Sequence, residues 1–367
     1  MKVLLLLPYA WDTSPGQRYR IEQWVPDLQR LGVEFQVETL LSKDEQKTLF
    51  WSKSTFRKAL LLLKVIFRRQ AQLIQVKGVD CIWIYRAAWP IGPAWPEKRL
   101  ARKGIPIIYD FDDAIWLADT SEVNRRWAWM KFASKTGEIC KLAKHVVVGN
   151  QILAEYAHQF NQDVTIVPST VNLDIYELDS GSESESETDN TIETCVIGWT
   201  GSHTTSAYLK VIEPALREIA KRHKIRFRVI GAPQYECDGV DLELVQWRSE
   251  SEVDDLRPID IGIMPMPDNP WSRGKCGMKA IQYMAMAIPT IVSPIGFNKE
   301  LIQHNQNGLL AETAEDWVNC LERLIVDKKL RKQLGTEGRK TVEKSFCATV
   351  QAQRIFDVII QTCKIQS

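Results

Sequence analysis

Short apolar runs that alternate with longer amphipathic stretches constrain this chain more than any other feature of it. Residues 3–7, 35–40, 81–85, 106–109, 145–148 and 164–167 are short apolar runs that read as buried strands. Between them, residues 17–31, 54–73, 93–103 and 126–143 repeat apolar side chains at helical spacing. Strand–helix alternation of this kind predicts a parallel sheet wound on both faces. The pattern restarts downstream, with strands expected at 195–199, 226–230, 259–264 and 290–293. Helices are expected there at 208–222, 278–287, 298–303 and 314–324, and residues 331–363 also read as helical. Between the two halves, residues 179–190 carry five acids and no apolar side chain, so they cannot pack a core. At 367 residues the chain is too long for one ordinary core. The expectation is an α/β chain of two Rossmann-like, doubly wound domains with a cleft between them. They span 1–175 and 193–345, joined by an acidic linker at 176–192, and a C-terminal helix at 346–367 is expected to pack back on the first domain.

Composition removes several function classes. Apolar content is 45% and charged content 25%, as in a globular protein, and the net charge is +1. No global field marks a nucleic-acid binder. The eight cysteines are scattered without a C-x-x-C pair, which argues against a zinc site or a disulfide framework and for reduced thiols in a cytosol. Met1-Lys-Val-Leu-Leu-Leu-Leu-Pro8 is too short an apolar run for a signal peptide and reads as the first buried strand. No run reaches the ~18 apolar residues of a membrane span.

Four places in the sequence suit chemistry. After the first strand, Trp11-Asp-Thr-Ser-Pro-Gly16-Gln-Arg18-Tyr-Arg20 is a glycine loop opening a helix. Gly16 can approach a phosphate or sugar, and Arg18 and Arg20 can reach a phosphate or an acceptor carboxylate; a plain turn with solvated arginines is the alternative. Asp110, Asp112 and Asp113 end a strand, the position where ligands bind in such sheets, and Trp116 follows. These acids could bind a divalent metal, act as a base or hold sugar hydroxyls, while helix capping explains only one of them. Gly198-Trp-Thr-Gly201-Ser202-His203-Thr204-Thr205 lies between a strand and a helix and suits an anion; His203 alone is more often a surface residue. Arg273-Gly-Lys275-Cys-Gly277-Met-Lys279-Ala-Ile-Gln282 brings three cations and two glycines to a helix start, an arrangement that suits a diphosphate. Motifs of nicotinamide dehydrogenases, P-loop nucleotidases and α/β hydrolases are missing from the sequence.

A fifth stretch, 54–75, lies in a segment without acids from Glu45 to Asp80. Phe56, Leu60, Leu63, Phe67 and Ile74 recur at helical spacing and are expected to face the core. That would leave Leu61, Leu62 and Val65 outward among Arg57, Lys58, Arg68 and Arg69, a face that suits anionic lipid. A packed helix with a solvated basic edge is the alternative.

Gly198-Trp-Thr-Gly-Ser202, Val229-Ile-Gly231, Ile261-Gly-Ile-Met-Pro265 and Lys275-Cys-Gly-Met-Lys-Ala-Ile-Gln-Tyr-Met-Ala285 resemble the retaining, nucleotide-sugar-dependent glycosyltransferases of family 4. Ser14-Pro-Gly16 and Ile166-Val-Pro-Ser-Thr-Val-Asn172 resemble the family's first glycine loop and its strand before the interdomain crossing. The resemblance implies the GT-B fold, a nucleotide-sugar donor, and a glycan or lipid-linked acceptor. It implies no metal and no other cofactor; the reduced cysteines point to a cytoplasmic location, and the basic face of 54–75, where it docks on lipid, to a peripheral place on the membrane. It makes Lys275 and Lys279 the diphosphate clamp, helped by Gly16, Gly201, Ser202, Thr204, Arg273, Gly277 and Gln282. Arg18, Arg20, Asp110 and Trp116 fall on the acceptor side, and Asp112 or Asp113 stands where many members carry a catalytic-site His. The chain departs from the pattern at the E-x7-E motif, where Gly274 and Gln282 replace both glutamates. Gln282 would then hydrogen-bond ribose hydroxyls through its amide. Trp89, Trp95, Trp116, Trp127 and Trp129 crowd the first half and suit sugar stacking or core packing.

Overall fold

The computed structural model describes residues 1–52, 54–117, 132, 134–178 and 194–363. The acidic segment 179–190, Lys53, Trp127, Trp129 and the first part of the helix expected at 126–143 lie outside the described residues. In chain order the first half runs β1 (Lys2–Leu7), α1 (Pro15–Arg20), α2 (Val25–Arg30), β2 (Glu34–Thr39), α3 (Lys43–Trp51), α4 (Thr55–Gln75), β3 (Cys81–Tyr85), α5 (Trp95–Ala101), β4 (Ile107–Phe111), α6 (Lys135–Leu142), β5 (His145–Val148), α7 (Gln151–His158) and β6 (Val164–Ile166). The second runs β7 (Cys195–Thr200), α8 (Glu213–Arg222), β8 (Ile225–Ile230), β9 (Leu242–Val245), α9 (Glu252–Leu256), β10 (Ile261–Met264), α10 (Pro270–Arg273), α11 (Met278–Ala285), β11 (Thr290–Val292), α12 (Asn298–Leu301), β12 (Leu309–Leu310), α13 (Ala314–Val326), α14 (Lys328–Ser345) and α15 (Ala348–Cys363). Contacts divide the chain into one unit of Met1–Thr170, Gly274–Cys276 and Ala348–Ser367, and another of Val171–Arg273 and Gly277–Cys347.

In the first unit six parallel strands stand in the order β2-β1-β3-β4-β5-β6. All of β3, β4 and β5 is buried, as strands covered on both faces must be. The order reverses between β1 and β3, which makes the carboxyl ends of those strands the switch point where such sheets bind ligands. α15 belongs to this core. Its Ala352, Ile355, Val358 and Ile359 pack with Trp24, Leu28, Cys81 and Trp83, and the rings of Trp24 and Trp83 stack at 6.2 Å.

The second sheet has the order β12-β11-β10-β7-β8-β9, with its reversal between β7 and β10. Its core joins Ile197, Trp199, Phe227 and Ile261 from the strands to Leu216 and Ile219 of α8 and Trp317, Leu321 and Leu324 of α13.

Three long helices of the sequence reading are shorter in the structure. The 17–31 stretch breaks into α1, a 3-10 turn at Glu22–Trp24 and α2, because Ile21 leaves helical geometry (φ −127°, ψ −56°) and Pro26 can sit only in a first turn. Residues 206–211 form a 3-10 turn, and α8 begins only at Glu213, with Pro214 in its first turn. The 331–363 stretch divides into α14 and α15 at Phe346 (φ −127°).

α4 is turned round from the expectation. Leu61, Val65, Leu73 and Arg69 are buried, whereas Phe56, Leu60, Leu63, Phe67 and Ile74 are exposed. The cause is polar. Arg68 makes a bidentate pair with Glu45 (2.8 and 2.6 Å) and donates to the Leu40 carbonyl. Arg69, buried beside it, donates to the Leu7 carbonyl at 3.3 Å. Arg68, a third exposed, thus finds anionic and carbonyl partners on the side where Leu61, Val65 and Leu73 pack, while Arg69 goes in with its Nε and Nη1 lacking a hydrogen-bond partner among the described residues. Leu61, Leu62, Arg68 and Arg69 are therefore not the lipid-facing set.

Candidate functional site

In the first unit, the loop after β1 lies over the end of β3. A Cβ on Gly16 would sit 3.2 Å from the Tyr85 hydroxyl, 3.3 Å from Arg86 Nη2 and 3.5 Å from Asp112 Oδ2. Three donors converge on Asp112 Oδ1: the Tyr85 hydroxyl at 2.9 Å, Arg86 Nε at 2.9 Å and Arg86 Nη2 at 2.8 Å. Arg86 Nη2 also reaches Asp113 Oδ2 at 2.6 Å, and Lys275 Nζ stands 3.5 Å from Asp113 Oδ1. Burial by itself would raise the Asp113 carboxyl; Lys275 and Arg86 override it and hold it below the ordinary aspartate value. Burial drives the Tyr85 hydroxyl well above its ordinary value, so it stays a donor.

Asn150 fastens Gly274–Cys276 to this cluster. Its amide nitrogen donates to the carbonyls of Gly274 and Lys275, each at 3.1 Å, while its Oδ1 caps α7 at the Leu153 amide. The Cys276 thiol donates to the Asp112 carbonyl at 3.1 Å, and burial pushes its pKa up, so it is a protonated packing group here.

Two acceptor-side expectations are corrected. Arg20 and Asp110 are both fully buried and pair at 2.7 Å, and burial lifts Asp110 to about 6 despite the arginine. They support the strand ends from beneath and present no surface to a ligand. Arg18 pairs with Asp12 at 2.7 Å. Trp116 stacks on Tyr156 with ring centroids 3.8 Å apart, so one of its faces is already covered.

In the second unit, the loop after β7 brings Gly201, Ser202 and Thr204 to the sheet's reversal. The Ser202 and Thr204 hydroxyls share a hydrogen bond at 2.8 Å. A Cβ on Gly201 would meet the Trp199 ring at 2.5 Å and Lys279 Cε at 2.9 Å, so only glycine lets Lys279 lie this close to the loop. The Lys279 ammonium sits 5.5 Å over the Trp199 ring. Gly277, in the left-handed conformation at φ +67°, starts α11 and turns Lys279 toward Gly201. The element after Ser202–Thr205 is a 3-10 turn rather than an α-helix, so the hydroxyls and Lys279, not a helix dipole, supply the polarity.

The clamp expected at 273–282 is spread out. Lys275 counts with the first unit and Lys279 with the second. Arg273 is exposed and makes a bidentate pair with Asp268 at 2.6 and 2.9 Å. Gln282 is 4% exposed and donates to the Tyr176 hydroxyl at 3.1 Å, so its amide serves the interior instead of an open ribose site. Among the described residues, no group of three or more His, Cys, Asp or Glu is placed to hold a metal ion. Arg86 and Asn150 are not marked by their sequence, and Tyr85 is marked only as the end of a strand. Arg86 follows a strand as the acids of β4 do, and it holds φ +61°, the kind of strained backbone that collects at functional sites.

The family model described as Glycosyl transferases group 1 matches residues 194–327. No curated protein matches the chain. Among solved structures, the chain is similar to sucrose-phosphate synthase from Thermosynechococcus elongatus, with 15% identity, a TM-score of 0.71, and coverage of 98% of this chain and 99% of that one. It is also similar to a glycosyltransferase from Rickettsia africae (15% identity, TM-score 0.66, 99% and 98% covered). HepE from Anabaena in complex with UDP-glucose is a third (13% identity, TM-score 0.68, 98% and 99% covered). The fold is GT-B, and the family match on that fold supports a glycosyltransferase.

Proposed function

We propose that the chain is a retaining glycosyltransferase of family 4. It moves a sugar from a nucleoside diphosphate sugar to a glycan or lipid-linked acceptor in cell-surface polysaccharide or glycolipid synthesis, in the cytoplasm and peripheral on the membrane. The observation that carries the reading is Lys279 held over Trp199 beside Gly201, Ser202 and Thr204, at the reversal of a sheet inside the family-matched region. A cation and two hydroxyls at strand ends suit the phosphates of such a donor.

In this reading Lys279 neutralises the charge that grows on the leaving diphosphate, and no metal is required. The acceptor oxygen bonds to the anomeric carbon as the carbon–phosphate oxygen bond breaks, and the acceptor proton passes to the leaving phosphate. Asp112, its Oδ1 fixed by Tyr85 and Arg86, orients the acceptor hydroxyl, and Asp113 positions Lys275. The bound UDP-glucose of HepE makes uridine diphosphate sugars the first donors to test. One observation favours a second reading, a non-catalytic nucleotide-sugar binder: Gly274 and Gln282 stand where two glutamates are expected, and Gln282 is buried.

A donor panel followed by thermal shift tests the binding half. One nucleoside diphosphate sugar should stabilise the protein saturably, and Lys279→Ala should weaken nucleoside diphosphate about 10–100-fold, the worth of one charge-assisted hydrogen bond. Unchanged affinity in the variant would remove Lys279 from the site, and no shift with any donor would remove the reading.

A further inference from the structure

α4 presents a stripe of large apolar side chains to solvent. Phe56 is 77% exposed, Leu60 59%, Leu63 53%, Phe67 73% and Ile74 52%. The helix is anchored from its other side, where Leu61 and Val65 pack with Leu40, Leu41 and Trp89. The five positions fall on one face of the helix and run from Phe56 to Ile74, about 27 Å at ~1.5 Å per residue. Apolar surface of this extent and continuity is what folded chains keep for docking.

The charge around the stripe is of one sign. Arg57 and Lys64 are exposed along one edge. On the other edge, the amide oxygen of Gln70 accepts from Arg99 at 3.3 Å. Lys103 closes the C-terminal end by donating to the Ile74 and Val76 carbonyls, with Lys77 and Arg102 exposed nearby. No acid occurs between Glu45 and Asp80, and Glu45 is occupied by Arg68 and Lys64. Among the described residues, no helix is long and apolar enough to cross a membrane.

We infer that this face of α4 lies in the headgroup layer of an anionic lipid bilayer, with Phe56, Leu60, Leu63, Phe67 and Ile74 in the acyl boundary and the flanking arginines and lysines on the lipid phosphates. A rim of cations around an apolar stripe complements anionic lipid and repels a second basic copy of itself. The inference deepens the peripheral placement proposed above and names its surface. It needs neither a donor nor a turnover, so its failure and that of the transfer reading can be told apart.

The test is flotation of the full chain with vesicles of phosphatidylcholine mixed with phosphatidylglycerol, and with vesicles of phosphatidylcholine alone. The wild type should float with the mixed vesicles, and less so as salt rises. Leu60→Ser/Leu63→Ser/Phe67→Ser, at exposed positions where the melting curve should be unchanged, should weaken binding more than about tenfold. Arg57→Gln/Arg99→Gln should lower binding to the mixed vesicles and flatten its salt dependence. A wild type that stays in solution with both vesicles, or a serine triple variant that floats as well as the wild type, overturns the inference. A wild type that is dimeric by light scattering, does not float, and becomes monomeric in the triple variant shows a second copy on the stripe and overturns it as well. Nucleoside diphosphate binding by the triple variant should be unchanged in every case.

Discussion

Gly201 shows how one missing side chain shapes a loop. Its amide donates to the Ile230 carbonyl at 3.0 Å, and its bare Cα lies against Trp199 and Lys279. A methyl group there has no room, since the Trp199 ring would lie 2.5 Å away and is itself buried. Gly201→Ala should cost about 1–3 kcal/mol of stability as the ring or the loop shifts, and should displace Lys279. A melt measured with and without nucleoside diphosphate separates the two effects. Loss of the ligand-induced shift with the fold retained is the expected result. The sequence singles out Gly201 and Lys279, and the structure places them side by side. Arg86 is not singled out, because its role depends on β3 and β4 lying side by side, which places Tyr85 opposite Asp110, so that Arg86 reaches Asp112 and Asp113. Arg20 and Asp110 misled in the opposite way: each has the chemistry of a ligand contact, yet they neutralise each other in the interior.

At the scale of elements, the joint between α3 and α4 carries a pH signature. Ser42 and Glu45 form a capping box at the start of α3, and Glu45 then takes Arg68 from α4. Hydrogen bonding to Arg68, above all, lowers Glu45 from its ordinary 4.5 to about 2. A carboxyl with a depressed pKa adds stability that is complete above its unfolded value and lost as pH falls through the folded one. Glu45→Gln should therefore be less stable than the wild type by about 1–3 kcal/mol at neutral pH, with the gap closing between about pH 5 and pH 2. Chemical denaturation at a series of pH values checks it; a gap independent of pH would mean that the ion pair contributes nothing. The same joint explains why the orientation of α4 was hidden in its sequence. Apolar residues line both of its sides, and periodicity alone cannot rank two apolar stripes. The deciding partners, Glu45 and the carbonyls of Leu7 and Leu40, lie on other elements. Buried strands such as β1 and β3 were legible as continuous apolar runs, while β9, half exposed at a sheet edge, and the two-residue β12 were not.

For the whole molecule, repetition was the legible property. Two rounds of strand–helix alternation point to two parallel sheets, and the described residues form two of six strands each, with reversals at β1/β3 and β7/β10. The place of Gly274–Cys276 was harder to foresee, because these residues join the first unit through contacts that are remote in sequence, those of Asn150 among them. The fold is shared by proteins at 13–15% identity, so it cannot distinguish a transferase from a protein that only holds its donor. Proton NMR of the donor's anomeric signal during incubation with the protein makes that distinction directly. The account predicts that the signal of the stabilising nucleoside diphosphate sugar decays, that free nucleoside diphosphate appears, and that the first-formed sugar product keeps the donor's anomeric configuration, all at least about tenfold slower in Lys279→Ala. A donor that binds but persists unchanged, at the same level with wild type and variant, would contradict it.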